Sequence, residues 1–329
     1  MRGAQQVFGV AAALAGAWLW ASPSMAAPQA SKDCVAINRK QARTSEARCY
    51  SVQHAGRVRT FRVYAPAQLK GPVPLVLVLH GGGGSGGNME WLTERGFNRI
   101  ADRDGAVIVY PDGIGKGWND GRTDMKSEAV TEQIDDIGFL STLAHELPAQ
   151  FPIDPKRIYA TGISNGGLMS YRIGCEAADV FAAVAPVAAN LSVDLAPRCN
   201  PARPISITIV NGTEDPLMLW NGGPVKVLWS KRGETVSADA TFKEWLKLDH
   251  CGAPHVGALI DAVRDDGTSV IEHGASCTMG AEVRLYEVRG GGHTWPGGEA
   301  YLGEWLVGRV SREIDANEVI WKFFQQHLR

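Results

Sequence analysis

The chain has 329 residues with 33 Lys and Arg against 35 Asp and Glu, a formal net charge of −2. So even a balance leaves no electrostatic footprint for nucleic acid or an anionic membrane surface. The length accommodates one large α/β domain or two small ones, and 45% hydrophobic residues are enough to bury a sizeable core.

The N-terminus reads as an export signal. Arg2 precedes an apolar run from Val7 to Trp20, and Ser24-Met25-Ala26 places small residues where a signal peptidase cuts. A signal peptide is expected over 1–26, with no membrane association after its removal and secretion to the periplasm or the medium. The run is shorter than a spanning helix requires. All six cysteines follow it, which points to disulfides formed in an oxidising compartment. Six cysteines allow 15 pairings. The sequential set Cys34–Cys49, Cys175–Cys199 and Cys251–Cys277 is expected because each closes a modest local loop. No C-x-x-C occurs, which argues against redox or zinc-ribbon chemistry.

Residues 27–57 read as a polar lead-in tied down by Cys34–Cys49, and 58–329 as a single catalytic domain. Val58 to Tyr64 alternates as a half-buried strand should, and Ala55-Gly56 before it marks a hairpin. Pro74 to His80 is a continuous apolar run, the pattern of a strand covered on both faces. A helix over 91–103 and a buried strand over Ala106–Tyr110 follow. A long loop over 111–131 carries Trp118. Ile134, Ile137, Leu140, Leu143 and Leu147 mark one helix face. Strand 157–162 leads directly into a helix. Val184–Ala189, Ile205–Val210, Thr268–Ile271 and Val283–Val288 are further strands, with helices at Ala238–Leu248 and Ile314–Leu328. Strands alternating with helices predict an α/β fold with a mostly parallel, doubly wound sheet and flanking helices.

Gly162-Ile163-Ser164-Asn165-Gly166 sits between such a strand and helix. This is the context of the G-x-S-x-G nucleophile elbow, whose tight turn needs nearly side-chain-free residues two before and two after the serine. Gly83-Gly84-Ser85-Gly86-Gly87 matches the same pattern, but no helix is expected directly behind Ser85. Ser164 is therefore the expected nucleophile. A serine hydroxyl needs a base held by an acid, and on this fold these follow in the order acid, then histidine, on loops after later strands. Asp215, after strand 205–210, is the expected acid, with Glu214 its neighbouring rival. His293, in a glycine-rich loop after strand 283–288, is the expected base. Backbone amides of Asn165 and Gly82 are expected to form the oxyanion hole, with His80 bracing the glycine loop. Trp118, Trp220 and Trp295 lie in loops near this centre and are expected to line the substrate pocket. Glu132, Asp135 and Asp136 read as a solvated helix cap. No metal-ligand motif such as H-E-x-x-H occurs, and neither metal nor cofactor is expected.

These residues resemble the secreted α/β-hydrolases grouped as polyhydroxybutyrate depolymerase-like and feruloyl-esterase-like proteins. The resemblance runs from about Val58 to the C-terminus. It rests on Leu79-His80-Gly81-Gly82, Trp118-Asn119, Asp135-Asp136-Ile137-Gly138-Phe139, the Ser164 elbow, Gly212-Thr213-Glu214-Asp215-Pro216, Cys251 and Gly292-His293-Thr294-Trp295-Pro296-Gly297-Gly298. It implies a Ser164–His293–Asp215 triad, an oxyanion loop at Gly82, and disulfides 175–199 and 251–277. Depolymerases of solid polyester usually append a substrate-binding domain. None follows Arg329, so soluble hydroxyalkanoate oligomers or aromatic esters are the expected substrates. The usual Pro-Tyr after the acid is replaced by Met218-Leu219-Trp220, a change expected to reshape the acyl pocket. The resemblance implies a serine carboxylesterase. The alternatives are a serine peptidase of the same fold and a catalytically silent binding protein.

Overall fold

The computed structural model describes residues 27–35, 46–227, 230–263 and 265–329. The expected signal peptide, 1–26, lies outside the described residues, as do 36–45 of the lead-in. The first strands are β1 (Gln29–Ala30), β2 (Arg48–His54) and β3 (Arg57–Tyr64). β2 and β3 form the expected hairpin through Ala55 and Gly56, both at positive φ, the turn geometry that matches strand twist.

The central strands follow the apolar runs in the sequence: β4 (Val73–Leu79), β5 (Val107–Pro111), β6 (Ile153–Ile163), β7 (Ala183–Val187), β8 (Ser206–Gly212) and β13 (Glu282–Arg289). They lie in the order β5-β4-β6-β7-β8-β13, all parallel. Antiparallel β1 to β3 extend one edge, and β12 (Ser269–Ser276) with β11 (His255–Ile260) the other, making eleven strands in this sheet among the described residues. β9 (Gly223–Val227) and β10 (Ser230–Thr235) form a separate two-stranded ribbon.

Alternation along β4 divides the core in two. Leu75, Leu77 and Leu79 join Phe139 and Leu143 of the helix Asp136–Glu146, Leu168 and Met169 of the helix Asn165–Glu176, and Trp245 of the helix Ala238–Leu248. Val76 and Val78 join Met89 and Leu92, Phe97 and Ile100, and Ile320, Trp321 and Phe324 on the opposite face. Period-2 alternation within a continuous apolar strand thus feeds two helical layers. Disulfides join Cys34 to Cys49, Cys175 to Cys199 and Cys251 to Cys277.

Three local expectations need correction. The single helix over 91–103 is two helices, Gly86–Leu92 and Gly96–Asp104, separated by Glu94 and Arg95 at positive φ. A helix does start directly behind Ser85: its hydroxyl oxygen caps it by accepting the Asn88 N–H. Gly86 permits this start, since a Cβ there would meet the Tyr110 carbonyl oxygen at 2.1 Å. The acidic cluster is also only partly a solvated cap. Asp135 caps its helix, accepting the Gly138 N–H at 2.8 Å. Asp136 is buried and pairs with buried Arg59 at 2.6 Å.

Asp249, at the end of the helix Ala238–Leu248, gives the fold a pH dependence. It is buried; Oδ1 accepts the Ile205 N–H at 3.1 Å, and Oδ2 has no partner among the described residues. Burial pushes its carboxyl up to about 7 from an ordinary 3.8. The folded state therefore holds a proton that the unfolded chain has released across that window. Stability from this group is full below the ordinary value of 3.8 and is lost as pH rises from there through about 7. Asp249→Asn is expected to flatten this decline, of a few kcal/mol at most, in urea unfolding at pH 5 and pH 8. Equal slopes for both proteins would show that the carboxyl is not responsible.

Candidate active site

The carboxyl ends of β4, β6, β8 and β13 deliver the candidate residues to one rim of the sheet, where loops of doubly wound folds bind ligands. Ser164 follows β6 at φ 57° and ψ −118°, a strained conformation for a non-glycine residue. The serine is immediately followed by the helix Asn165–Glu176. The flanking glycines are forced by close approach. A Cβ on Gly166 would lie 2.4 Å from the Leu79 carbonyl oxygen, and one on Gly162 would lie 2.7 Å from Gly166. Ser85, which matches the same sequence pattern, is extended (φ −156°, ψ 168°) and buried as a helix cap. Backbone geometry separates the two serines.

Asp215 and His293 are buried together. His293 Nδ1 lies 2.6 Å from Asp215 Oδ2, and the other carboxylate oxygen accepts N–H groups from Leu217 and Met218 at 2.8 and 2.7 Å. A carboxylate only accepts, so Nδ1 carries a proton, and in the neutral imidazole Nε2 is the nitrogen with the lone pair. Tyr301 fixes the histidine loop by donating its hydroxyl to the His293 carbonyl at 2.9 Å. Glu214 is exposed and does not pair with the histidine. Ser164 and His293 line the same cavity of about 990 Å³. Among the described residues no hydrogen bond joins their side chains, a looseness common in ligand-free sites.

The glycine loop after β4 lies against the elbow: a Cβ on Gly82 would sit 3.8 Å from Asn165 Cβ. The backbone N–H groups of Gly82 and Asn165 have no partner among the described residues. His80 is a brace. Its Nε2 accepts the Gly113 N–H at 2.9 Å, so Nδ1 holds the proton and donates to the Gly81 carbonyl at 2.8 Å. Burial lowers its pKa and keeps it neutral.

The three tryptophans expected in the substrate pocket are elsewhere. Trp118 is fully buried, donates Nε1–H to the His80 carbonyl at 2.9 Å and stacks obliquely on the His80 ring. Trp295 is fully buried against Phe97. Trp220 is half-buried on the core. Their large apolar surfaces gain more by filling the space beneath the loops than by facing solvent. The cavity instead takes Met89, Trp91, Leu217, Val225 and Tyr301. Leu217, and not buried Met218, is the pocket residue after the acid. Arg232, Lys116 and Lys126 also line it. Sequence reading passed over all of these. The one available signal was Gly222-Gly223, which starts the β9–β10 ribbon that brings Val225 and Arg232 to the cavity.

The sheet order and the rim site define an α/β-hydrolase. The solved structure of an acetyl xylan esterase from Aspergillus awamori shares this fold, with a TM-score of 0.52 at 12% identity over 82% of this chain and 94% of that one. The profile of the prolyl oligopeptidase family matches residues 85–196. The chain is 31% identical to the putative esterase NocK of Nocardia uniformis subsp. tsuyamanensis over 330 residues, 95% of this chain and 94% of that protein. It is 34% identical over 215 residues to feruloyl esterase B of Piromyces equi, covering 63% of this chain and 37% of that protein. It also matches a poly(3-hydroxybutyrate) depolymerase of Ralstonia pickettii at 34% over 36% of this chain and 26% of that protein. The chain belongs to the polyhydroxybutyrate depolymerase-like and feruloyl-esterase-like α/β-hydrolases, serine-type carboxylic ester hydrolases.

Proposed function

We propose that this protein is a secreted carboxylesterase in which Ser164 is the nucleophile, His293 the base and Asp215 the residue that orients it. The observation that carries the reading is the buried His293–Asp215 pair, with Nε2 left as an acceptor in the cavity that Ser164 also lines. Nε2 takes the Ser164 proton as Oγ attacks the ester carbonyl. The N–H groups of Gly82 and Asn165 receive the developing oxyanion, each contributing about 3–4 kcal/mol to the barrier reduction. The protonated imidazole then gives its proton to the departing alcohol. Water, deprotonated by the same nitrogen, releases the acid from the acyl-enzyme.

Soluble hydroxyalkanoate oligomers or aromatic, feruloyl-type esters are the proposed substrates. The names of the relatives support both, and Trp91 and Tyr301 give the cavity aromatic walls. Three disulfides support an oxidising destination. The match to the prolyl oligopeptidase family favours one second reading, a serine peptidase using the same residues. A fluorophosphonate probe is expected to label Ser164, located by peptide mass spectrometry, and labelling elsewhere would overturn the nucleophile assignment. Rates on methyl ferulate, hydroxybutyrate oligomers, p-nitrophenyl acyl esters and peptides then separate the readings. Turnover of short unsubstituted acyl chains alone would refute the aromatic substrate, and faster peptide cleavage would favour the peptidase.

A further inference from the structure

Charge is unevenly distributed around the cavity. Lys116, Lys126, Lys231 and Arg232 line it, and among the described residues Asp124 is its one acidic lining residue. Lys231 lies 3.8 Å from Asp124. Arg122 also reaches the cavity, but its charge is taken by buried Asp120 at 2.5 Å. Arg232 differs from both. It is half-buried on β10, and its guanidinium has no hydrogen-bond or carboxylate partner among the described residues. Its Nη1 comes within 3.6 Å of where a Gly82 Cβ would sit, and Asn165 Cβ lies 3.8 Å from the same point. An arginine fork is therefore held beside both loops that flank the nucleophile.

A guanidinium on the cavity wall with five donors and no counter-ion is available to an incoming anion. Its planar fork matches a carboxylate, and nearby lysines raise the local concentration of an anion. Building on the esterase reading above, we propose that the preferred substrates are esters carrying a second, free carboxylate, and that Arg232 is the specificity-determining residue that binds it. Lys116 and Lys126 attract the same charge toward the cavity mouth. A neutral ester, such as a simple methyl aryl ester, leaves the fork unsatisfied.

The test compares matched esters that differ in one charge. Monoethyl and diethyl adipate place the carboxylate on the acyl side; 3-acetoxypropionate and its amide place it on the alcohol side. The readout is the ratio of kcat/KM for the charged ester to that for its neutral counterpart. In at least one pair the unaltered protein is expected to have a ratio about 10- to 100-fold above that of Arg232→Ala, the range for a charge-assisted hydrogen bond. Arg232→Lys is expected to fall between, and added salt to raise KM for the charged ester selectively. Because each ratio is internal to one protein, partial misfolding does not move it. An unchanged ratio in Arg232→Ala overturns the proposal, as does an equal loss on both members of a pair, which would place the guanidinium at the reacting carbonyl. Failure of the unaltered protein to hydrolyse any ester or react with fluorophosphonate would instead remove the esterase reading on which the proposal rests.

Discussion

Ser164→Ala is expected to lower ester turnover by about 10³- to 10⁶-fold while leaving the protein folded. The loss follows from removal of the only atom proposed to bond to the acyl carbon. The fold should tolerate it: the Ser164 hydroxyl makes no hydrogen bond among the described residues, and its backbone N–H and C=O remain bonded to Val187 and Leu168. His293→Ala should cost a similar factor. Combining the two should add little, because base and nucleophile act as one unit. Measuring kcat for both single variants and the double variant checks this. Losses that multiply in the double variant would mean that the histidine acts on something other than the serine.

Asp136→Ala is expected to be the most damaging single change to stability, by about 3–5 kcal/mol. Arg59 and Asp136 are both excluded from solvent, and the Arg59 guanidinium also lies 3.9 Å above the Phe139 ring. Truncating the acid strands a buried cation. It also frees the Asn119 N–H, which Asp136 Oδ2 accepts at 2.8 Å. A fall in Tm on the order of 10 °C should accompany it. Asp136→Asn keeps an acceptor and should cost less. If the alanine variant unfolds in urea like the parent, water reaches Arg59 and the pair is not sealed.

The sheet and the elbow were legible because they obey local rules. A strand covered on both faces must be apolar throughout, as 73–79 is, and a serine between two obligatory glycines can be found by spacing. The pairing of Asp215 with His293 was legible through chain order. What escaped depends on distance through space. Composition does not distinguish a loop tryptophan beneath the site from one facing it, and Trp118 and Trp295 lie beneath. Asp135 and Asp136 are neighbours of identical chemistry, yet one caps a helix and the other is buried with Arg59, which is far away in sequence. Arg232 reaches the cavity only because the β9–β10 ribbon folds over the sheet's rim.

A polar chain connects that ribbon to the elbow. The Asn165 side chain donates to Asp120 at 2.6 Å and accepts the Trp118 N–H at 2.8 Å; Asp120 holds Arg122; Arg122 donates to the Arg232 carbonyl. The residue next to the nucleophile thus grips, through two intermediaries, the backbone of the residue proposed to sort substrates. Altering side chains along the ribbon should change which esters are accepted without disturbing the chemistry. Breaking the tether at Asp120 or Arg122 should degrade selectivity and rate together, so diversification of this enzyme has room at the surface of the ribbon and little at its root.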